Sequence, residues 1–227
     1  MIIKYDLNGK AEWAKEIGGS SSDFINSVVE TSDGGYIGVG YFISDSIELG
    51  NGLNLTNNGN GDGMIIKVNV KGEIEWAQAI GGKGYDYINS IAETTDGGYI
   101  VGGYYNSEEI QINNEVKLIK EYNSLNNIML LYINRYGDVT SAITKEGNSY
   151  IDKIDIITDS NNEIYIGDGS YLTVCSPSGE TIFKQYIGNY GTHIRSISIT
   201  DKKILCVGDF GNKIEGIGNG IKVNSKG

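Results

Sequence analysis

At 227 residues the chain can bury a sizeable core without disulfide staples, and its two cysteines could form one bridge at most. A formal charge of −11, dispersed along the chain, excludes nucleic acid and an anionic membrane surface as partners, because both need clustered Lys and Arg. No stretch reaches the ~18 apolar residues of a membrane-spanning helix, so membrane insertion is not expected, and no signal peptide is visible.

In chain order, the first elements read as two strands, residues 1–7 and 11–17, joined at Asn8-Gly9. A strand pair follows from Phe24, turning at Asp33-Gly34-Gly35. From Met64 the text restarts. Residue n of 1–42 has its counterpart at n + 63, so that Trp13, Gly18-Gly19, Asn26-Ser27 and Asp33-Gly34-Gly35 return as Trp76, Gly81-Gly82, Asn89-Ser90 and Asp96-Gly97-Gly98. The second copy predicts strands at 88–93, 99–105, 130–134 and 139–144. Two weaker copies follow. One runs from Leu130-Leu131-Tyr132-Ile133 to Ile164-Tyr165-Ile166-Gly167, the other from Leu172-Thr173-Val174-Cys175 to Leu205-Cys206-Val207-Gly208. The position of Trp76 becomes Ser141 and then Phe183. No helical period of about 3.6 persists anywhere, and short strands with Gly turns at this spacing fit the blades of a propeller.

The run 62–105 carries a lysine-bearing strand, an acidic-Gly turn, a Trp strand, a Gly-Gly loop and a Tyr-Val-Gly strand. In this it resembles a bacterial β-propeller repeat family of large secreted and cell-surface proteins. The likeness is close over 1–105 and partial over 129–210. It implies the propeller fold and an extracellular or cell-surface location, and no activity.

The expected fold is therefore all-β, a β-propeller of four-stranded antiparallel blades, four in this chain: 24–80, 87–145, 151–187 and 193–227, with strand 11–17 closing the ring. The alternative is part of a larger ring of about six to eight blades, since the chain reads as a fragment of a longer protein. A monomer or a dimer through open blade edges would follow respectively.

Loops joining the fourth strand to the next blade share a face with those joining strands two and three. The length variation between repeats falls there, in 43–63, 106–127 and 211–218. Asp23, Tyr85, Asp86, Tyr87, Tyr190 and His193 are the candidate ligand-binding residues on that face, because aromatics with carboxylates suit a sugar or a peptide. Phe24, Tyr87 and His193 share one repeat position, so a structural plug at the start of each first strand is the competing reading. Residues 58–63, Asn-Gly-Asn-Gly-Asp-Gly, alternate like a calcium loop, but Asn69 stands where the bidentate Glu belongs, and a Gly-Asn hairpin fits better. Trp13 and Trp76 read as blade-to-blade packing, and Cys175 and Cys206 as free thiols in apolar strands. No nucleophile motif accompanies the one histidine, His193. No cofactor and no metal are expected. The function expected is a non-catalytic binding or scaffold module that presents loops to a glycan or protein partner. The alternatives are a carbohydrate-active enzyme using Asp23 and Asp86, and a spacer without a ligand.

Overall fold

The structure is a computed structural model that describes residues 1–147, 153–187, 193–200 and 203–209. It opens on an antiparallel pair, β1 (Ile2–Tyr5) and β2 (Ala11–Lys15). Blade one follows: β3 (Asp23–Glu30), β4 (Tyr36–Phe42), a hairpin of β5 (Ser46–Gly50) and β6 (Leu53–Thr56), then β7 (Asp62–Val68) and β8 (Ile74–Ile80). Blade two repeats the plan with β9 (Asp86–Glu93), β10 (Tyr99–Tyr105), the hairpin β11 (Glu109–Gln111) and β12 (Lys117–Ile119), β13 (Asn127–Ile133) and β14 (Val139–Glu146). Blade three is β15 (Ile154–Thr158), β16 (Ile164–Asp168), β17 (Tyr171–Cys175) and β18 (Thr181–Tyr186), and β19 (His193–Thr200) pairs with β20 (Lys203–Asp209). Each full blade is a meander with its four strands in chain order, all neighbours antiparallel. The first strands β3, β9, β15 and β19 pack successively on one another, which places them innermost.

The turns explain why these strands form where they do. The Asp33 carboxylate accepts from Thr31 Oγ1 (2.5 Å) and the Gly35 amide (2.9 Å), and Asp96 repeats this with Thr94 Oγ1 (2.5 Å) and Gly98 (3.2 Å). Such turns satisfy locally the donors that a strand end leaves open. The core lies between blades, sheet face against sheet face. Ile37, Val39 and Ile65 of blade one meet Ile88, Tyr99 and Val101 of blade two, and Ile100, Leu130 and Ile154 join blades two and three.

The tryptophans are part of this packing. Trp13 lies over Gly72 of blade one with its Nε1 donating to the Val70 carbonyl (3.0 Å), and Trp76 lies over Gly137 of blade two. Trp76→Ala is expected to cost about 3 kcal/mol in urea unfolding, because it opens a cavity between two blades. A loss below about 1 kcal/mol would reduce the indole to surface decoration.

Three expectations meet the structure here. Segments 43–63 and 106–127 are not open loops: each folds as a hairpin whose alternate apolar residues point inward. Ile47 and Leu55 join the core around Phe42, and Ile110 and Leu118 the core around Tyr105. Their period-two pattern is that of a half-buried strand. Strand 11–17, expected to close the ring, pairs with β1 in a two-stranded sheet that packs by Ile2 and Trp13 on β4 and the β7–β8 turn of blade one and shares no ladder with β19–β20 among the described residues. Residues 210–227 of the expected fourth blade lie outside the described residues. Both cysteines are free, and burial pushes their thiols up, away from reactivity.

Candidate functional site

Because every blade strand is antiparallel to its neighbour, the starts of the first strands and the ends of the second strands meet on one face. There Phe24 of β3 sits directly across from Tyr41 of β4, and Tyr87 of β9 across from Tyr104 of β10. The rings continue from one blade to the next. Phe24 stacks on Tyr41 at 4.9 Å between centroids, and Tyr41 stacks on Tyr87 at 3.9 Å. Tyr104 and Tyr85 meet Tyr87 edge-on at 5.4 and 6.0 Å. Stacked and edge-to-face pairs are the arrangements that the ring quadrupole favours.

A bulge sets the position of these rings. Asn26, Asn89 and Arg195 are extra residues in the ladders of β3, β9 and β19, each opposite a glycine, Gly40, Gly103 or Gly208. A Cβ on any of the three would collide with a main-chain carbonyl, that of Phe24, Tyr87 or His193. The bulge re-aims the inner strand, and Asn26 uses the new direction to donate from Nδ2 to the Ile88 carbonyl of the next blade (2.7 Å).

The expected carboxylates serve the loops. Asp23 accepts from the Gly19 amide (2.7 Å), Ser44 Oγ (2.7 Å) and the amides of Ile43 and Ser44. Asp86 takes the equivalent set from Gly82, Ser107 and Asn106. Burial opposes ionisation of Asp23, but these donors outweigh it and hold its carboxyl below the usual range. For Asp86, which is fully buried, burial prevails and pushes the carboxyl up. Four donors saturate each carboxylate, so neither is placed as a general acid or base.

Asp62, the one carboxylate of the 58–63 run, turns inward to accept from the Asn58 amide and Nδ2, both at 2.9 Å. Burial, with the Asp86 charge second to it, pushes Asp62 up to about 6.

Of the other expected residues, Tyr85 and Tyr87 belong to the aromatic run. His193 begins β19 opposite Asp209, which accepts from Arg195 Nε (2.7 Å). The β19–β20 pair thus carries charged groups where blades one and two carry ring pairs. Tyr190 lies outside the described residues. Tyr41 and Tyr104 were not singled out from the sequence, although the pairs Gly40-Tyr41 and Gly103-Tyr104 stand 63 residues apart, the interval of the repeat. The faces of Tyr41 are spent on its neighbours, while Phe24 at 45% and Tyr85 at 46% exposure present ring surface to solvent. The site can therefore stack and, through the phenols, exchange hydrogen bonds.

No protein-family model matches the chain, and no curated protein sequence matches it. Among solved structures it is similar to a protein of unknown function from Bacteroides caccae (11% identity, TM-score 0.47), covering 86% of this chain and 59% of that one. It is similar also to the Pan2 WD40 domain of Neurospora crassa (10%, TM-score 0.46, 81% and 56%). A third is regucalcin of Agrobacterium tumefaciens, described as a calcium-binding protein (16%, TM-score 0.38, 76% and 48%). The chain spans less than two thirds of the length of each. Its strand order is that of β-propeller blades.

Proposed function

We propose that this chain is a non-catalytic binding module of a secreted or surface-attached protein, and that its aromatic run recognises a glycan. The exposed rings of Phe24 and Tyr85, at the two ends of the run Phe24–Tyr41–Tyr87–Tyr85, carry this reading. A pyranose offers an apolar C–H face to an aromatic ring and hydroxyls to a phenol, and binding sites commonly pair ring surface with a few polar groups. The saturated carboxylates of Asp23 and Asp86 support a binding role over a catalytic one. The surface location follows the repeat likeness of residues 1–105, and export of the full-length protein tests it.

A neutral-glycan array followed by titration calorimetry tests the site. Tyr85→Ala and Phe24→Ala are expected to weaken the best hit by at least about tenfold without changing the unfolding midpoint, since both side chains are half-exposed. Unchanged affinity in both variants would remove the aromatic run from the function.

A further inference from the structure

The opposite face, formed by the turns within strand pairs, holds a cavity of about 430 Å³ beside blade two, between its turns and those of blade three. The internal repeat shows what the cavity lacks. In blade one the same place is filled by Lys67, only 4% exposed. Its ammonium meets Asp33 Oδ1 and Oδ2 at 3.0 and 3.1 Å, Glu75 Oε2 at 3.2 Å and the Val68 carbonyl at 3.4 Å. The hairpin before blade one uses the same device, Lys4 pairing with Glu12 at 2.9 Å.

In blade two the lysine has become Tyr132 and the glutamate Thr140, while the acceptors remain. Asp96 stands for Asp33, with the same turn bonds from Thr94 and Gly98, and Ile133 stands for Val68. Asp96, Ile133, Tyr132 and Thr140 all line the cavity. Asp96 Oδ1 is used by the turn, but Oδ2, the counterpart of an atom that Lys67 contacts, accepts no hydrogen bond from any other described residue. Tyr132 does not reach back to replace the ammonium. Its hydroxyl is buried near Gly179 of blade three, without a partner among the described residues. Arg135, also on the wall, donates from Nη2 to the Asp96 main-chain carbonyl (2.6 Å); its charge acts on the Asp96 carboxylate, but it makes no direct hydrogen bond or ion pair with it.

We propose that this cavity binds an alkyl-ammonium group of the lysine type, supplied by a ligand where blade one supplies its own. The ammonium meets Asp96 Oδ2 and the Ile133 carbonyl, and the aliphatic stem lies along Tyr99 and Tyr132. Such rings favour a cation over their faces, and the chain's charge of −11 raises the local concentration of cations. This second site is independent of the aromatic run on the loop face.

The test titrates the full chain with n-pentylammonium chloride and follows the backbone amide shifts of Gly98 and Ile133. A saturable response is expected, with none from n-pentanol. Asp96→Asn keeps an oxygen for Thr94 and Gly98 but removes the charge, and should weaken binding at least about tenfold. Tyr132→Lys should abolish binding by refilling the cavity from within. Should that variant not fold, Asp96→Asn decides alone. N-acetyl-lysine methylamide is expected to bind more tightly than glucosamine, which lacks the stem. No response, an equal response to n-pentanol, full binding by Asp96→Asn, or a response to glucosamine alone overturns the proposal.

Discussion

Gly103→Ala is expected to destabilise the protein by at least about 3 kcal/mol, more than a glycine-to-alanine change in a strand ordinarily does. The added methyl would fall inside the van der Waals envelope of the Tyr87 carbonyl oxygen and against the Tyr87 carbonyl carbon at 3.0 Å. Both atoms belong to the backbone of β9, which cannot yield as a flexible side chain could. Relief requires the bulge at Asn89 to shift, and that moves Tyr87 relative to Tyr104 and to Tyr41. The near-ultraviolet circular dichroism of the tyrosines should therefore change along with the urea midpoint. Gly97→Ala is the contrast. Gly97 has a φ of 79°, and a Cβ there would meet only the Arg135 guanidinium at an ordinary contact distance of 3.8 Å, so only the conformational penalty of about 1 kcal/mol applies. If Gly103→Ala costs no more than Gly97→Ala, the close approach of β10 to β9 does not constrain the fold.

The second large effect is on pH dependence. Asp168 is the last residue of β16, as Phe42 and Tyr105 are the last residues of β4 and β10 in blades one and two. In blade two the Tyr105 hydroxyl donates to the Ile119 carbonyl of the β11–β12 hairpin (3.0 Å). Blade three has no such hairpin, only Gly169 and Ser170 between strands. Asp168 is 1% exposed and its Oδ1 has no partner among the described residues. Burial pushes its carboxyl up to about 7, against the attraction of Lys184 and with the repulsion of Glu146.

A carboxyl whose folded pKa lies above its unfolded value of 3.8 favours folding when protonated. Its contribution is complete below about pH 4 and is lost as the pH rises through about 7. At about 1.4 kcal/mol per unit, the loss amounts to roughly 4 kcal/mol across that window. Asp62, raised to about 6, acts in the same direction. Asp33, held at about 2 by Thr31, Gly35 and Lys67, acts in the opposite one and loses its contribution only as the pH falls below about 4. It is well exposed, so its share is small. Stability should therefore be higher at pH 5 than at pH 8. Asp168→Asn should flatten the difference and raise the urea midpoint at pH 8. Parallel pH profiles for the variant and the parent would show that Asp168 is ionised in the fold at little cost.

The sequence by itself determined the strand order and the blade as the unit. A 63-residue self-similarity with Asp-Gly-Gly and Asn-Gly turns at fixed offsets leaves each pair of strands one short-range way to meet. It determined also that Trp13 and Trp76 do the same work, since both recur at one position. The structure sets each of them over a glycine of the following blade.

Tertiary structure alone decided where the chemistry lies. Asp23 and Asp86 read as ligand-facing carboxylates, yet they are saturated by amides that reach them from about twenty residues away along the chain. Segments 43–63 and 106–127 read as loops, because the apolar alternation in each is short and interrupted by glycine or asparagine. It becomes a signal only once a neighbouring sheet offers a surface to bury it. The stack of Phe24, Tyr41 and Tyr87 joins two blades, and the cavity by Asp96 exists because Tyr132 turns toward blade three instead of filling the lysine's place. A repeat fixes which residues are equivalent within each blade. What each equivalent residue meets is set by the adjacent blade, and that contact is made only when the blades close face to face.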